Sequence, residues 1–313
     1  MIRSIRPTDL ASLLAFQRKG HSNDAKTGKN LGRRERRLFS IGRFLQEWLS
    51  LEEDRYTWID ISRGRIRGLI SVRSRPSPIA WQVDTLILGG GPDCPDICLG
   101  LMDYISAVGG EVGVQKVFLR IERNSRLKDG ARQAGFVPYK SELLYWRESL
   151  SPTARDMNPA NGTVRAKRSA DDTALFQLYS QAVPGHVREA EAMTFDEWKA
   201  IIKKDLSLPT QQQLVLERDG NLLGWLRVRR GGQANSFDVL SLPQEREALV
   251  ILVEHCLGLL DQRRPTYCLF SEYREEVRQV LEERDFRLAG EYSSLVKQLA
   301  VRVRQPRFVP ARI

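Results

Sequence analysis

Two halves of the chain repeat one pattern of apolar and polar positions. In the first, residues 56–62 (YTWIDIS) alternate, break at Arg63-Gly64-Arg65, and alternate again over residues 66–73 (IRGLISVR). In the second, residues 214–218 (LVLER) break at Asp219-Gly220-Asn221 and resume over 222–229 (LLGWLRVR). Alternation around a Gly-containing tight turn predicts a hairpin in each half. Gly64 falls against Gly220, Gly68 against Gly224, Val72 against Val228 and Arg73 against Arg229.

The same order continues on both sides. Each half opens with a short Ile-Arg or Val-Arg strand, Ile5-Arg6 against Val164-Arg165, followed by a helix. A helix containing a tryptophan comes next, at Trp48 (with Leu38, Ile41, Leu45 and Leu49 at helical spacing) and at Trp198. After the hairpins come apolar strands 81–88 (WQVDTLIL) and 235–242 (NSFDVLSL), each with one aspartate, Asp84 and Asp238. Then follow helices 94–108 and 245–262, strands 117–121 and 267–270, helices 125–134 and 273–284, and a closing strand pair after Phe136 and after Phe286. Each half reads β-α-α-β-β-β-α-β-α-β-β, an α/β pattern of the α+β type used twice. Residues 151–162 (SPTARDMNPANG) hold almost nothing to bury and read as a linker. The expected domains are 1–150 and 163–300, with a basic tail at 301–313.

Charge changes the picture in one respect. The chain of 313 residues has 49 Lys+Arg against 39 Asp+Glu, net +10, and residues 1–150 carry +8 of it. The run Arg33, Arg34, Glu35, Arg36, Arg37 and the tail arginines 302, 304, 307 and 312 suit an anionic partner, a nucleotide cofactor, a nucleic acid or an acidic protein. Few aromatics lie among them, which disfavours base stacking. Four cysteines without a Cys-x-x-Cys and three histidines without metal spacing exclude a zinc knuckle and a His-built metal centre. Cys94 and Cys98, at i and i+4, read as packing residues, and His186 as a loop residue after Pro184-Gly185. No Gly-x-Ser-x-Gly elbow is present, which disfavours a serine hydrolase. No apolar run reaches membrane-span length and no apolar signal region follows the start, so the expected compartment is a reducing cytoplasm.

Residues 116–146 (KVFLRIERNSRLKDGARQAGFVPYKSELLYW) carry a resemblance. Their strand, Asn-started helix at Asn124, Gly135-Phe136 turn and closing strands resemble the GNAT N-acetyltransferase superfamily, in tandem form over nearly the whole chain. The resemblance implies two GNAT-like domains, each a mixed, mostly antiparallel sheet with splayed central strands flanked by helices. It implies that acetyl-CoA or another acyl-CoA enters the splay as co-substrate, with its pyrophosphate on backbone amides before a helix, and that an amine attacks the thioester. On this sequence those amides would come from Leu86, Ile87, Leu88, Gly89, Gly90 and Gly91, with Asn124 near the pantetheine end. A helix N-terminus with glycine-rich backbone suits a phosphate. Pro92 and Pro95 remove two donors, and the family's Gln/Arg-x-x-Gly-x-Gly/Ala spacing is missing. The second half offers Glu245 and Glu247 and no glycine there. The family's proton-donating tyrosine is replaced by Ala131 and Leu281, leaving Asp84 and Glu122 as candidate proton relays. Three functions therefore stay open: acyl-CoA-dependent transfer to a small-molecule or peptide amine, cofactor in the first half; a non-catalytic protein of this fold recognising an anionic partner; or, as the resemblance also allows, aminoacyl transfer from charged tRNA using the basic first half.

Overall fold

The computed structural model describes residues 1–18, 22–27, 55–75, 79–90, 94–148, 162–191, 194–204, 211–231 and 233–300. The helix expected around Trp48, the linker at 151–161, the basic run 33–37 and the tail 301–313 lie outside the described residues.

Among the described residues, twelve strands form one sheet. In the N-half these are β1 (Ile2–Ser4), β2 (Arg55–Ser62), β3 (Arg65–Ser74), β4 (Ala80–Leu88), β5 (Lys116–Glu122) and β6 (Val137–Arg147). In the C-half they are β7 (Thr163–Ala166), β8 (Gln211–Arg218), β9 (Asn221–Arg230), β10 (Asn235–Ser241), β11 (Thr266–Ser271) and β12 (Arg287–Gln298). The described helices are α1 (Leu10–Arg18), α2 (Cys94–Glu111), α3 (Lys128–Gln133), α4 (Asp172–Ala182), α5 (Gly185–Glu191), α6 (Phe195–Lys204), α7 (Arg246–Leu259) and α8 (Glu275–Glu282). The spatial order is β1-β2-β3-β4-β5-β12-β6-β11-β10-β9-β8-β7, so the halves mirror one another about the centre. Among the described residues, only β4/β5 and β10/β11 pair in parallel.

Local chemistry repeats with the topology. Arg3 clamps Asp9 with two hydrogen bonds of 2.7 and 2.6 Å, and Arg165 clamps Asp171 at 2.8 and 2.9 Å. Each aspartate also accepts from a backbone N–H three residues earlier, Arg6 and Arg168. The structural equivalents are thus Arg3 and Arg165, three residues from the expected match of Arg6 with Arg165. The doubled Ile-Arg at 2–3 and 5–6 makes the register ambiguous by eye. Gly68 and Gly224 are equivalent for a packing reason. A Cβ on Gly68 would lie 2.7 Å from Ile97 of α2, and one on Gly224 would lie 2.5 Å from Leu252 of α7. These helices press directly on the sheet.

The core has layers on both faces. In β5, Val117, Leu119 and Ile121 are buried under α2, while Phe118 packs on the other face with Tyr139 and Ala190. The α1 side buries Leu13 and Phe16 on Ile59, Leu69 and Ile87. In the C-half, α7 covers Leu226, Val228 and Phe237, and α4 with α6 covers Val215 and Trp225. His186, expected in a loop, lies in α5, which starts directly after Pro184. Proline tolerates the start of a helix because the first N–H groups lack partners there anyway.

The closing strands depart from expectation. Each half ends in one long strand, not two, and the strands are exchanged. β6 pairs antiparallel with β11 of the other half, and β12 pairs antiparallel with both β5 and β6. No turn divides either segment. Gly290 marks a register shift in the β12/β6 pairing instead of a reversal. Each strand therefore runs on and finds its partner across the centre.

Candidate functional site

β4 and β5 are paired only from Ala80/Lys116 to Gln82/Phe118, after which they part. The divergence starts at a β-bulge. Ser71 pairs with Thr85 and Val72 with Val83, leaving Asp84 as the extra residue. A bulge bends and twists its strand, and here it turns β4 away from β5. At the crotch, the Gln82 amide donates to Phe118 C=O at 3.3 Å. The resulting wedge opens toward the C-terminal ends of both strands.

The chain itself runs through this wedge. Leu86 N–H donates to Asn23 Oδ1 at 2.8 Å, and Leu86 C=O accepts from Asp24 N–H at 2.8 Å. Lys26 N–H donates to Arg120 C=O of β5 at 2.8 Å. Ala25, fully buried, joins the core beneath α2. Of the amides expected to receive pyrophosphate, that of Leu86 is thus taken by Asn23. Gly89 N–H donates to Arg67 C=O at 2.6 Å. A Cβ built on Gly90 would meet nothing within 4 Å, so that backbone is approachable. Leu88 pairs with Gly68 and Ile87 with Leu69 in the β3/β4 ladder, and Gly91 lies outside the described residues. Asn124 is exposed just beyond β5.

The carboxylates proposed as proton relays both have cationic neighbours. Asp84 lies 3.5 Å from Arg55 and 3.6 Å from Arg73. Glu122, 61% exposed, lies 3.3 Å from the Lys26 ammonium. Ala131 and Leu281, where a tyrosine was sought, are fully buried in the two cores.

The C-half wedge is built differently. β10 and β11 pair from Asn235/Thr266 to Phe237/Cys268 and then part, and β10 has no bulge against β9. Arg274, buried, extends its guanidinium to Val239 C=O and to Ser241 C=O and Oγ, each at 3.4 Å. It also pairs with Glu276. Asp238 is bound by Arg227 and Arg229 at 2.6 and 2.8 Å. Burial would raise its pKa, but the two guanidiniums outweigh burial and hold it below the ordinary value. Glu245 and Glu247 at the start of α7 both face Arg218, at 3.3 and 3.6 Å.

Between the wedges lies a buried ionic row that sequence reading did not single out. Arg120 of β5, Ser294 of β12 and Lys140 of β6 stand side by side in register. Arg120 donates to Glu142 through Nε at 2.7 Å and Nη2 at 3.0 Å, and Ser294 donates to the same carboxylate. Lys140 bridges Glu142 at 3.7 Å and Glu191 of α5 at 2.9 Å, and Tyr179 of α4 donates to Glu191 at 2.9 Å. Burial would raise the Glu142 pKa, yet Lys140 and Arg120 bring it down to about 2. Its partners belong to both halves, so the row clasps the exchanged strands.

The cysteines do no evident chemistry. Cys94 and Cys98 are buried in α2, and burial, with a smaller push from Cys94 and Asp24, drives the Cys98 thiol up to about 12. No cluster able to hold a metal ion occurs among the described residues. Among them, no helix is long and apolar enough to cross a membrane.

A pair of parallel strands that part, present in each half and bulged in the first, with the closing strands set between the halves, defines a tandem acetyltransferase-type fold. Comparison with solved structures agrees. A GCN5-related N-acetyltransferase from Sphaerobacter thermophilus superposes with a TM-score of 0.58, covering 95% of each chain at 16% identity. A tandem GNAT protein from the clavulanic acid biosynthesis pathway gives 0.54 at 12% identity, over 78% of this chain and 82% of that one. No family model and no curated protein sequence matches the chain. At these identities the likeness is one of fold, and the fold is the tandem GNAT fold.

Proposed function

We propose that the chain is an acyl-CoA-dependent N-acyltransferase with one acyl-CoA site, in the N-terminal half. The observation that carries this reading is the bulged wedge, in which Leu86 of β4 turns both its N–H and its C=O to amide partners that belong to no strand. A pantetheine arm presents amides of that kind, so the residues present fit it. When bound, acyl-CoA supplies the acyl group as a thioester open to attack by an amine. Leu86 would hold the arm, and the unobstructed backbone at Gly90 would face the phosphates. The amine proton would leave to solvent, and the departing thiolate would take its proton from solvent, because Ala131 offers no donor. The C-half would serve as partner and acceptor-side wall, its wedge crossed by Arg274.

The missing proton donor supports a second reading, a non-catalytic GNAT-fold protein that recognises an anionic partner. Calorimetric titration with acetyl-CoA, followed by a thiol-release assay over a panel of amines, separates them. One site per chain, lost in Gly90→Glu, is the expected result. That substitution adds charge where nothing lies within 4 Å, so the fold should tolerate it. Binding without thiol release from any amine would favour the non-catalytic reading. An absence of binding even at millimolar acetyl-CoA would refute the acyl-CoA reading.

A further inference from the structure

Where two strands part, their backbone groups need partners elsewhere. In the N-half one short segment supplies them to both strands. Asp24 is tied to Leu86 of β4, and Lys26, two residues on, is tied to Arg120 of β5. The Asn23 carboxamide completes the attachment. Its Oδ1 accepts from Leu86 N–H at 2.8 Å and from Ala25 N–H at 3.1 Å, while its Nδ2 donates to Asp84 C=O at 3.1 Å. The Lys26 ammonium then closes the mouth, 3.2 Å from Asn23 C=O and 3.3 Å from Glu122.

A connecting loop ordinarily stays at the surface. This one buries Ala25 completely in the core and Lys26 almost completely. Its chemistry matches what the wedge would otherwise take: an amide against β4 and a negative charge beside α2. The Asp24 carboxylate is near enough to that helix to be among the causes that raise the Cys98 thiol, after burial and Cys94.

We propose that Asn23, Asp24, Ala25 and Lys26 form a self-ligand closing the acyl-CoA wedge, and that acyl-CoA binds only when this segment leaves. The proposal rests on the acyl-CoA reading above and adds its regulation. Affinity is then the intrinsic affinity reduced by the open fraction. One net hydrogen bond is worth about fivefold in such an equilibrium. Asn23→Ala removes the two that hold β4 and should tighten acetyl-CoA binding by up to about 25-fold.

The test uses the full chain as wild type, Asn23→Ala and Lys26→Ala, the last in case the first folds poorly. Calorimetry with acetyl-CoA is combined with amide hydrogen exchange read on peptides covering residues 22–27 and 84–88. In the wild type both peptides should be protected. Acetyl-CoA should release 22–27 to exchange while 84–88 stays protected, and both variants should exchange faster at 22–27 and bind more tightly. Binding with 22–27 still protected, or equal affinity in all three chains, would overturn the self-ligand. A variant whose 22–27 exchanges freely but which takes no acetyl-CoA at millimolar concentration would refute the acyl-CoA reading, and the self-ligand with it.

Discussion

Replacing Glu142 by glutamine keeps the shape of the side chain and removes its charge from the middle of the sheet. Arg120 and Lys140 then remain buried without their shared carboxylate. Breaking a buried pair by deleting one partner costs about 3–5 kcal/mol, because the remaining charge has been taken out of water. The carboxyl itself gives a second route to the magnitude. Held at about 2 against an ordinary 4.5, it contributes about 3 kcal/mol to stability above its unfolded pKa. Because the folded pKa is the lower one, this contribution is full above pH 4.5 and is lost as pH falls toward 2. Urea denaturation at neutral pH should therefore show Glu142→Gln less stable than the wild type by about 3 kcal/mol. The gap should narrow as titration proceeds below pH 4.5. A loss under about 1 kcal/mol at neutral pH, or a gap unchanged in acid, would show that the row is solvated and does not clasp the strands.

Three further predictions follow from the same architecture. Since β12 lies between β5 and β6, neither half can complete its sheet alone, and calorimetry on the intact chain should give one cooperative unfolding transition; two separable transitions would contradict the exchange. Gly224→Val, crowding Leu252 and the Leu240 carbonyl, should cost about 1–3 kcal/mol by denaturant titration. Gly258→Ala in α7, where a Cβ meets nothing within 4 Å, should instead stabilise by up to about 1 kcal/mol.

Much of the fold was legible because it is written in local periodicity. Alternation around Gly64 and Gly220 gives the hairpins, and both glycines take positive φ in the structure, 71° and 78°. The matched spacing of Gly68 with Gly224 and of Asp84 with Asp238 reveals the duplication; in the structure both glycines let a helix press on the sheet and both aspartates face two arginines, while only Asp84 sits in a bulge. The helices read from residues 94–108 and 245–262 correspond to α2 and α7. Helical stripes and strand alternation depend on which face of one segment meets the core, and that information sits within a few residues.

Strand partners are a different matter. Alternation tells which face of β6 or β12 is buried but not which strand lies beside it, since backbone donors and acceptors are the same for every residue. The exchange of β6 and β12 was therefore hidden. So were the contacts of Asn23 and Asp24, a polar pair in a loop-like stretch whose partners Asp84 and Leu86 lie about sixty residues away. Nothing in the local pattern marks Arg274 either, whose guanidinium reaches the β10 carbonyls. The sequence by itself determined the elements and their duplication. Only the tertiary structure decided what fills the openings beside β4 and β10, because an unpaired strand edge accepts any amide or guanidinium that the fold brings within hydrogen-bonding distance.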